Sequence, residues 1–466
     1  MYLSRFLVGI FLLISWNYTT FAQDARILTL EESIEIARQT NLSIQSTQEK
    51  VEFAKAQANA ARAPMLPNVS ITSNYTYFKD LPKSVLEASG GGFGPIPTDG
   101  EMQPPTDMSS GGTDSSNVIE LEFGAHHNFQ GVLALRQPIF AWGRYYYGYQ
   151  SAQLNLDAAK KELEAAYNQL TLDVSAAFHG VLVAQEFVRV AQQTVDLVEK
   201  QLAIARSLFD AGASTNFDVL RAKVRLANAK SQLIRAQNRV RVAKDAFKNV
   251  LNIDLAEDVE VKGVLEASIV ELDIESLLQT AIEKRAEIHQ FGFSEQATQK
   301  QIDVAKTGNR PDLSFFANYQ VDDNERLTEM NRIWNLGFRL NFPIFDGFST
   351  RAAVKQAKSA LKQTQLGKHQ LMDAIEFEVR SVYRSLIETQ ILIEVQKETV
   401  EQAQESVRIA NLRFENGMIT SVELTDAQLA LARAEVNRLQ SLHDYVVGVA
   451  RLEKAIGQKL QMAGKN

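Results

Sequence analysis

Glu423 and Asp426 stand three residues apart in a helical pattern, so their carboxylates share one helix face. Two acids so placed attract cations. Acids also suit the start of any helix, because they complement its dipole, so spacing alone leaves a plain solvated helix start open. The other candidates are weaker. His126-His127 is the only adjacent pair among six histidines; it reads as a loop or strand-rim feature rather than a metal site. Gly90-Gly91-Gly92-Phe93-Gly94 lacks the strand before it and the helix after it that a phosphate loop needs, and Pro95 follows. No serine–histidine–acid set is recognisable. The absence of cysteine removes thiolate chemistry, cysteine metal sites, disulfides and a lipidated N-terminal cysteine. The chain reads as a non-enzyme with no cofactor, no metal and no catalytic residue.

The elements that carry the acid pair are long helices. From Gly148 to Asp210 no proline interrupts the chain. Leu170, Val174, Ala177, Val181, Ala184, Val188, Ala191, Val195, Val198, Leu202, Ala205 and Phe209 step alternately four and three residues, a heptad seam. At 1.5 Å per residue such a helix is roughly 95 Å long, about three times what a bilayer needs. Asp173, Glu186, Arg189 and Glu199 on its other faces keep it in water, packed along other helices.

The stretch occurs twice. Pro138-Ile139-Phe140 returns as Pro343-Ile344-Phe345, and Phe209-Asp210-Ala211-Gly212 as Phe414-Glu415-Asn416-Gly417, each at an offset of 343 − 138 = 417 − 212 = 205. The seam follows as Ile375, Val379, Val382, Leu386, Thr389, Ile393, Gln396, Val400, Ala403, Val407, Ala410 and Phe414. Pro67 matches Pro311 at 311 − 67 = 244, so the first repeat carries 244 − 205 = 39 extra residues after that point, in the loop from Asp80.

In chain order, residues 1–22 read as a secretory signal: Arg5, an apolar run from Phe6 to Ile14, and Thr20-Phe21-Ala22 as the cleavage site. The first repeat spans 23–251. It holds a helix from Leu30 to Arg62 capped by Thr29, a strand from Asn68 to Lys79, a Gly/Pro/Ser-rich loop from Asp80 to Asn117, a strand from Asn128 to Phe140, the long helix, and a return helix from Phe217 to Leu251. Gly212 stops the long helix and Ser214 or Thr215 caps the next. Residues 252–273 form an acidic linker. The second repeat, 274–456, holds a helix from Ile274 to Lys306, strands Leu313 to Val321 and Ile333 to Phe342, the second long helix Phe348 to Glu415, and a return from Ser421 to Ile456. A tail, 457–466, follows.

Composition excludes several classes. With 45% hydrophobic residues, and no apolar run after the signal long enough for a transmembrane helix, the chain is not a polytopic helical membrane protein. A net charge of −7 argues against nucleic acid as a partner. The strands alternate, with Val69, Ile71, Tyr75 and Tyr77, or Trp334, Leu336, Phe338, Leu340 and Phe342, on one face, as lipid-facing strands do. Four strands enclose no pore, and an open sheet edge is not tolerated in lipid, so several copies must share one barrel.

On the duplicated Pro-Ile-Phe strand ends, the paired glycine tips and the helix–strand–strand–helix order, the whole mature chain resembles the TolC family of outer-membrane efflux factors. That resemblance implies a mainly α fold with a membrane β-barrel portion: a homotrimer with a twelve-stranded barrel in the outer membrane and a twelve-helix periplasmic tunnel. It implies an exit duct for an inner-membrane pump and a periplasmic adaptor. It assigns Ala211, Gly212, Ala213, Asn416, Gly417 and Met418 to the adaptor-contacting tips, and Glu423 and Asp426 to a constriction, a ring of six carboxylates in the trimer. The family's locking arginine falls on Ile419 here, and Asp218 with Arg221 forms a possible exposed pair in its place. The competing expectation is a periplasmic or surface coiled-coil scaffold, which explains the heptads but not four amphipathic strands.

Overall fold

The computed structural model describes residues 26–81, 83–87, 118–122, 126–267, 269, 271–324, 331–416 and 418–460. The signal-like segment 1–22, most of the Asp80–Asn117 loop, Gly417 and the tail beyond 460 lie outside the described residues.

A short strand β1 (Arg26–Leu28) precedes helices α1 (Leu30–Thr40) and α2 (Leu42–Arg62), and a single 3-10 turn follows. Next come β2 (Asn68–Tyr77), β3 (Lys83–Glu87), β4 (Val118–Glu122) and β5 (His127–Phe140). Helices α3 (Arg144–Asp210) and α4 (Asn216–Leu251) close the first half, and β6 (Val259–Val261) lies in the linker. The second half runs α5 (Ile274–Lys284), α6 (Ala286–Ala305), β7 (Asp312–Asn324), β8 (Asn331–Asn341), α7 (Ser349–Glu415) and α8 (Ser421–Ile456). Helices α3 and α7 have 67 residues each, about 100 Å of continuous helix.

The chain packs as two units. The first comprises residues 56–153 and 297–360 and is organised by an antiparallel sheet in the order β2-β5-β7-β8. Its register puts Ile71 opposite Leu133, Leu133 opposite Tyr319, and Tyr319 opposite Trp334, so one face is apolar across all four strands. The Tyr319 and Trp334 rings lie 4.6 Å apart and those of Phe315 and Phe338 5.5 Å apart. The opposite face carries Thr72, Gln130, Asn318 and Asn335, the last two joined by a 2.9 Å hydrogen bond. The start of α3 is tied to the end of α6: Arg144 Nη2 donates to Thr307 O at 2.9 Å, and Ser151 Oγ to Ala297 O at 3.1 Å. Where strand gives way to long helix, Trp142-Gly143 and Gly347-Phe348 take positive φ. These pairs are repeat equivalents, since 142 + 205 = 347. A bulky residue in that region is uncommon, and it recurs because the same sharp turn is needed twice.

The second unit comprises residues up to 55, 154–296 and from 361 onward. It has two cores built to one plan. Ala37, Ile44, Leu170, Val174, Val181, Phe247 and Leu251 pack together in the first half. Their equivalents Ala281, Ile288, Ile375, Val379, Leu386, Leu452 and Ile456 pack together in the second. An 18-residue stretch of α3 is apolar enough to cross a bilayer, against the sequence expectation, but half of it is buried in this packing.

Two other differences from the expected elements appear in this unit. The helices expected as continuous from Leu30 to Arg62 and from Ile274 to Lys306 are each broken, at Asn41 and Arg285, again equivalents since 285 − 41 = 244. Both residues have extended backbone, with ψ of 123° and 121°. Side-chain chemistry overrides helical periodicity there. Asn41 Nδ2 donates to Val250 O at 2.9 Å, and an Arg285 Nη1 hydrogen reaches Ala455 O at 3.1 Å; 250 + 205 = 455. Each kink residue thus satisfies a carbonyl in the last turn of its own return helix, a group the helix itself leaves unpaired. The linker also holds a strand not expected from its acidic composition: β6 pairs in parallel with β1.

Candidate functional site: the paired helix turns and the acidic pair

The turns at the ends of the two helical hairpins are formed alike. Past Asp210, Gly212 adopts φ +72°, Gly212 N–H donates to Phe209 O at 2.9 Å, and Ala213 N–H donates to Leu208 O at 2.8 Å. That is the glycine C-cap in which the residue after the glycine reaches back five positions. In the second repeat Met418 N–H donates to Arg413 O at 2.8 Å, the same bond displaced by 205. Ala211, Gly212, Ala213, Asn416 and Met418 are all exposed, and the Met418 side chain is 69% exposed. Gly417, named with them from the sequence, lies outside the described residues.

Thr215, not Ser214, caps α4 through a reciprocal box: its hydroxyl accepts from Asp218 N–H while Asp218 Oδ2 accepts from Thr215 N–H at 3.1 Å. Thr420 and Glu423 make the same box for α8, with Glu423 Oε2 accepting from Thr420 N–H at 2.7 Å and from its hydroxyl at 2.9 Å. These bonds hold the Glu423 carboxyl below the usual glutamate range, the backbone bond contributing most. Glu423 and Asp426 are both exposed.

The bonds from Thr215 and Ser214 hold the Asp218 carboxyl below the usual aspartate range, and Arg221 adds only the smallest pull in the same direction. Asp218 is occupied by Thr215 and Ser214, and Arg221 lies over the Phe217 ring at 5.0 Å. The cation that joins the two hairpins is one that sequence reasoning missed. Arg225 Nη1 donates to Ser421 O at 3.3 Å and to Thr425 Oγ1. Burial pulls the Arg225 guanidinium below the ordinary arginine range, Arg221 adds to this, and Asp426 opposes it. It remains a cation at neutral pH. One turn further, the Gln201 and Gln428 side-chain amides bond directly to each other. Between the hairpins lies a cavity of about 370 Å³ lined by Ala205, Ala213, Asp218, Arg221, Thr420 and Leu424 among others. Only the offset comparison of Arg225 with its apolar-seam neighbours would have marked it as facing a partner helix.

Away from the turns, His127 Nδ1 is bonded to Tyr75 Oη at 2.7 Å, and His126 Nδ1 to Phe78 O at 2.9 Å, so this pair is engaged at the end of β2.

One unit is an antiparallel sheet with a largely apolar face and the other is built from two long helical hairpins, the parts of an outer-membrane channel. The profile of the outer membrane efflux protein family matches residues 33–252 and 277–458. The chain belongs to that family. The outer membrane protein TolC of Vibrio cholerae is 22% identical over 323 residues, covering 66% of this chain and 74% of that protein. Nodulation protein T of Rhizobium leguminosarum bv. trifolii is 23% identical over 424 residues, 90% of this chain and 83% of that one. Among solved structures, the CmeC outer membrane channel of Campylobacter jejuni superposes with a TM-score of 0.74 at 16% identity, over 94% of this chain and 87% of that chain. The protein is accordingly an outer-membrane efflux channel of the TolC-like fold, and its family is one of channels rather than enzymes.

Proposed function

We propose that three copies of this chain form one twelve-stranded barrel and one twelve-helix tunnel, the passive exit duct for an inner-membrane pump joined through a periplasmic adaptor. One observation carries the reading. The sheet exposes Ile71 (80%), Trp334 (70%), Leu336 (72%) and Phe338 (69%) on a single face, while β2 and β8 are edge strands without a second neighbour among the described residues. In lipid those open edges must be paired, and another copy of the chain is the partner that does so with matching register. Membrane fractionation tests this: the protein should resist salt and require detergent for release. Release by salt alone would restore the scaffold reading, which explains the heptads but gives the apolar face no purpose.

Glu423 and Asp426 are the proposed constriction, since both carboxylates are exposed beside the second turn, where three-fold symmetry would bring them together. Single-channel current through the double variant E423A/D426A should lose block by multivalent cations. Unchanged block would remove the assignment. The turns are the proposed adaptor contact. A Cβ at Gly212 would meet no atom within 4 Å, so Gly212→Val perturbs the surface, and its structural cost is the backbone strain of a positive φ, about 1–2 kcal/mol. Export should fail with barrel insertion intact, and normal export would remove the docking role.

A further inference from the structure

The face of the sheet opposite the apolar one has a charge pattern of its own. Register sets Arg136 of β5, Phe316 of β7 and Gly337 of β8 in one row across the strands, with Asn68 of β2 at its end. Arg339 stands one row away, opposite Ser314. Among the described residues this face carries four charged side chains: Arg136, Asp312, Asp322 and Arg339. The two acids are engaged. Asp312 Oδ1 accepts from Asn341 Nδ2 at 3.1 Å, and Asp322 Oδ2 accepts from Gln320 Nε2 at 2.7 Å. Asp322 also lies six residues up β7 from Phe316, about 20 Å along the strand.

The two arginines have no such partners. Both are exposed, and among the described residues neither makes an ion pair or a hydrogen bond. Arg339 is placed by an aromatic platform: its guanidinium carbon lies 5.4 Å from the centroid of the Phe316 ring. That ring leans over Gly337, where an added Cβ would come within 3.3 Å of Phe316 Cζ. The glycine makes room for the ring, and the ring holds the guanidinium against the wall. Arg136 and Arg339 start about 12 Å apart on the strands, on either side of Phe316. Two arginine side chains span that gap and can meet on one oxyanion, to which each offers a planar fork of N–H donors.

An apolar face turned to lipid turns this face to the lumen. We infer that Arg136 and Arg339 line an anion site inside the barrel, which takes the phosphate or carboxylate groups of anionic solutes on their way through. Rings of Arg or Lys are what pores for anions and phosphate present to their cargo. The inference rests on the proposed trimer, in which 2 × 3 = 6 guanidiniums share one level of the wall. The strand that a second copy sets beside β8 there is β2, whose polar face is Asn68, Ser70, Thr72, Asn74 and Thr76, so it brings no acid to cancel them. A low-dielectric wall focuses their field on the water it encloses. The charge is opposite to that of the proposed constriction, Glu423 and Asp426, so one conduit holds both a cation-preferring and an anion-preferring station.

The test uses the full-length protein, purified in detergent and inserted into planar bilayers. Sodium tripolyphosphate is added to the barrel side, and block of the single-channel current is titrated. The wild type should be blocked, and R136Q/R339Q should need roughly tenfold more tripolyphosphate for half block, the size of one lost charge-assisted hydrogen bond. Under a KCl gradient the reversal potential of the same variant should shift towards the potassium value. R136K/R339K keeps the charge and should keep most of the block, which separates charge from a damaged wall. Equal block in the wild type and R136Q/R339Q overturns the site, as does a wild type that tripolyphosphate leaves unblocked. A lysine variant that loses as much block as the glutamine variant overturns it too, because the shape of the wall rather than its charge then sets the current. A protein that forms no channel in the bilayer overturns the proposed duct itself.

Discussion

Arg285→Met isolates what holds the kink between α5 and α6. The guanidinium is only 4% exposed. It donates to Glu287 at 3.1 and 2.9 Å, to Glu378 at 2.6 Å and to Ala455 O at 3.1 Å. Burial by itself would lower the pKa of Arg285, but the bonds to the two glutamates outweigh it and raise it. Removing one partner of a buried ion cluster costs roughly 3–5 kcal/mol. Here the lower end applies, because Glu378 keeps Lys454 Nζ at 2.9 Å and the Glu287 side chain, 26% exposed, can rehydrate. About 3 kcal/mol is a factor of roughly 150 in a local opening constant. Hydrogen exchange of the detergent-solubilised protein reads that constant directly. Amides from Ala281 to His289 should exchange about a hundredfold faster in the variant, with the equivalent segment from Ala37 to Gln45 unchanged. The acid limb should move too. Burial opposes ionisation of Glu378, but Lys454 and Arg285 together hold its pKa below the usual glutamate range. Its contribution is therefore present above that range and is lost as pH falls through the lowered value. Without Arg285 the value climbs back, so the contribution is smaller and its loss is complete at higher pH. Unchanged exchange in a variant that still inserts would refute the claim that this cluster, rather than the apolar core beneath it, fixes the kink.

Thr420→Ala should make the first-turn amides of α8 exchange about fivefold faster at neutral pH, the size of a lost cap. That difference should shrink in acid as Glu423 is protonated through its lowered pKa, leaving the part due to the Thr420 hydroxyl accepting from Glu423 N–H, and a difference unchanged by acid would assign the cap to Thr420 alone. His179, buried between Phe178 and Ser175, is pushed below the ordinary histidine value chiefly by burial; the Ser175 carbonyl opposes this and His443 adds to it. A buried neutral histidine stabilises fully above the unfolded value of about 6.5 and less as pH falls below it. His179→Leu should therefore flatten the pH dependence of the melting temperature between about pH 7 and 5, and an unaltered slope would point to other groups.

Most of the architecture was legible because it was written twice. Period-2 stretches gave the four sheet strands to within a few residues, and the heptad runs gave α3, α4, α7 and α8. What escaped was decided by side chains acting across the fold. Leu30–Arg62 reads as one amphipathic helix, and nothing in its spacing reveals that Asn41 leaves the ladder to satisfy a carbonyl 209 residues away. Arg285 could only have been suspected through its equivalence to Asn41. Strand β1 is three residues long, too short for any alternation to register. At the turns the residue types are readable but their bonds are not: spacing sets Asp218 beside Arg221, yet the backbone N–H of Thr215 offers it a partner fixed by the turn itself.

The duplication also separates what the turn requires from what a pore would require. Glu423 and its equivalent Asp218 make the same capping box with Thr420 and Thr215. A feature that both repeats share is explained by helix initiation and needs no channel. Asp426 is different. Its equivalent is Arg221, which is turned onto Phe217, and no helix start demands an acid in its place. The side chain is exposed, and Arg225, the guanidinium whose charge Asp426 supports, spends its hydrogen bonds on Ser421 and Thr425. The proposed constriction therefore rests on Asp426 more than on Glu423. Asp426→Asn alone should remove most of the block by multivalent cations, while Glu423→Gln should chiefly loosen the first turn of α8. The reverse order of effects would mean that the capping carboxylate faces the pore with enough free lone pairs to do both tasks, and the division by repeat would fail.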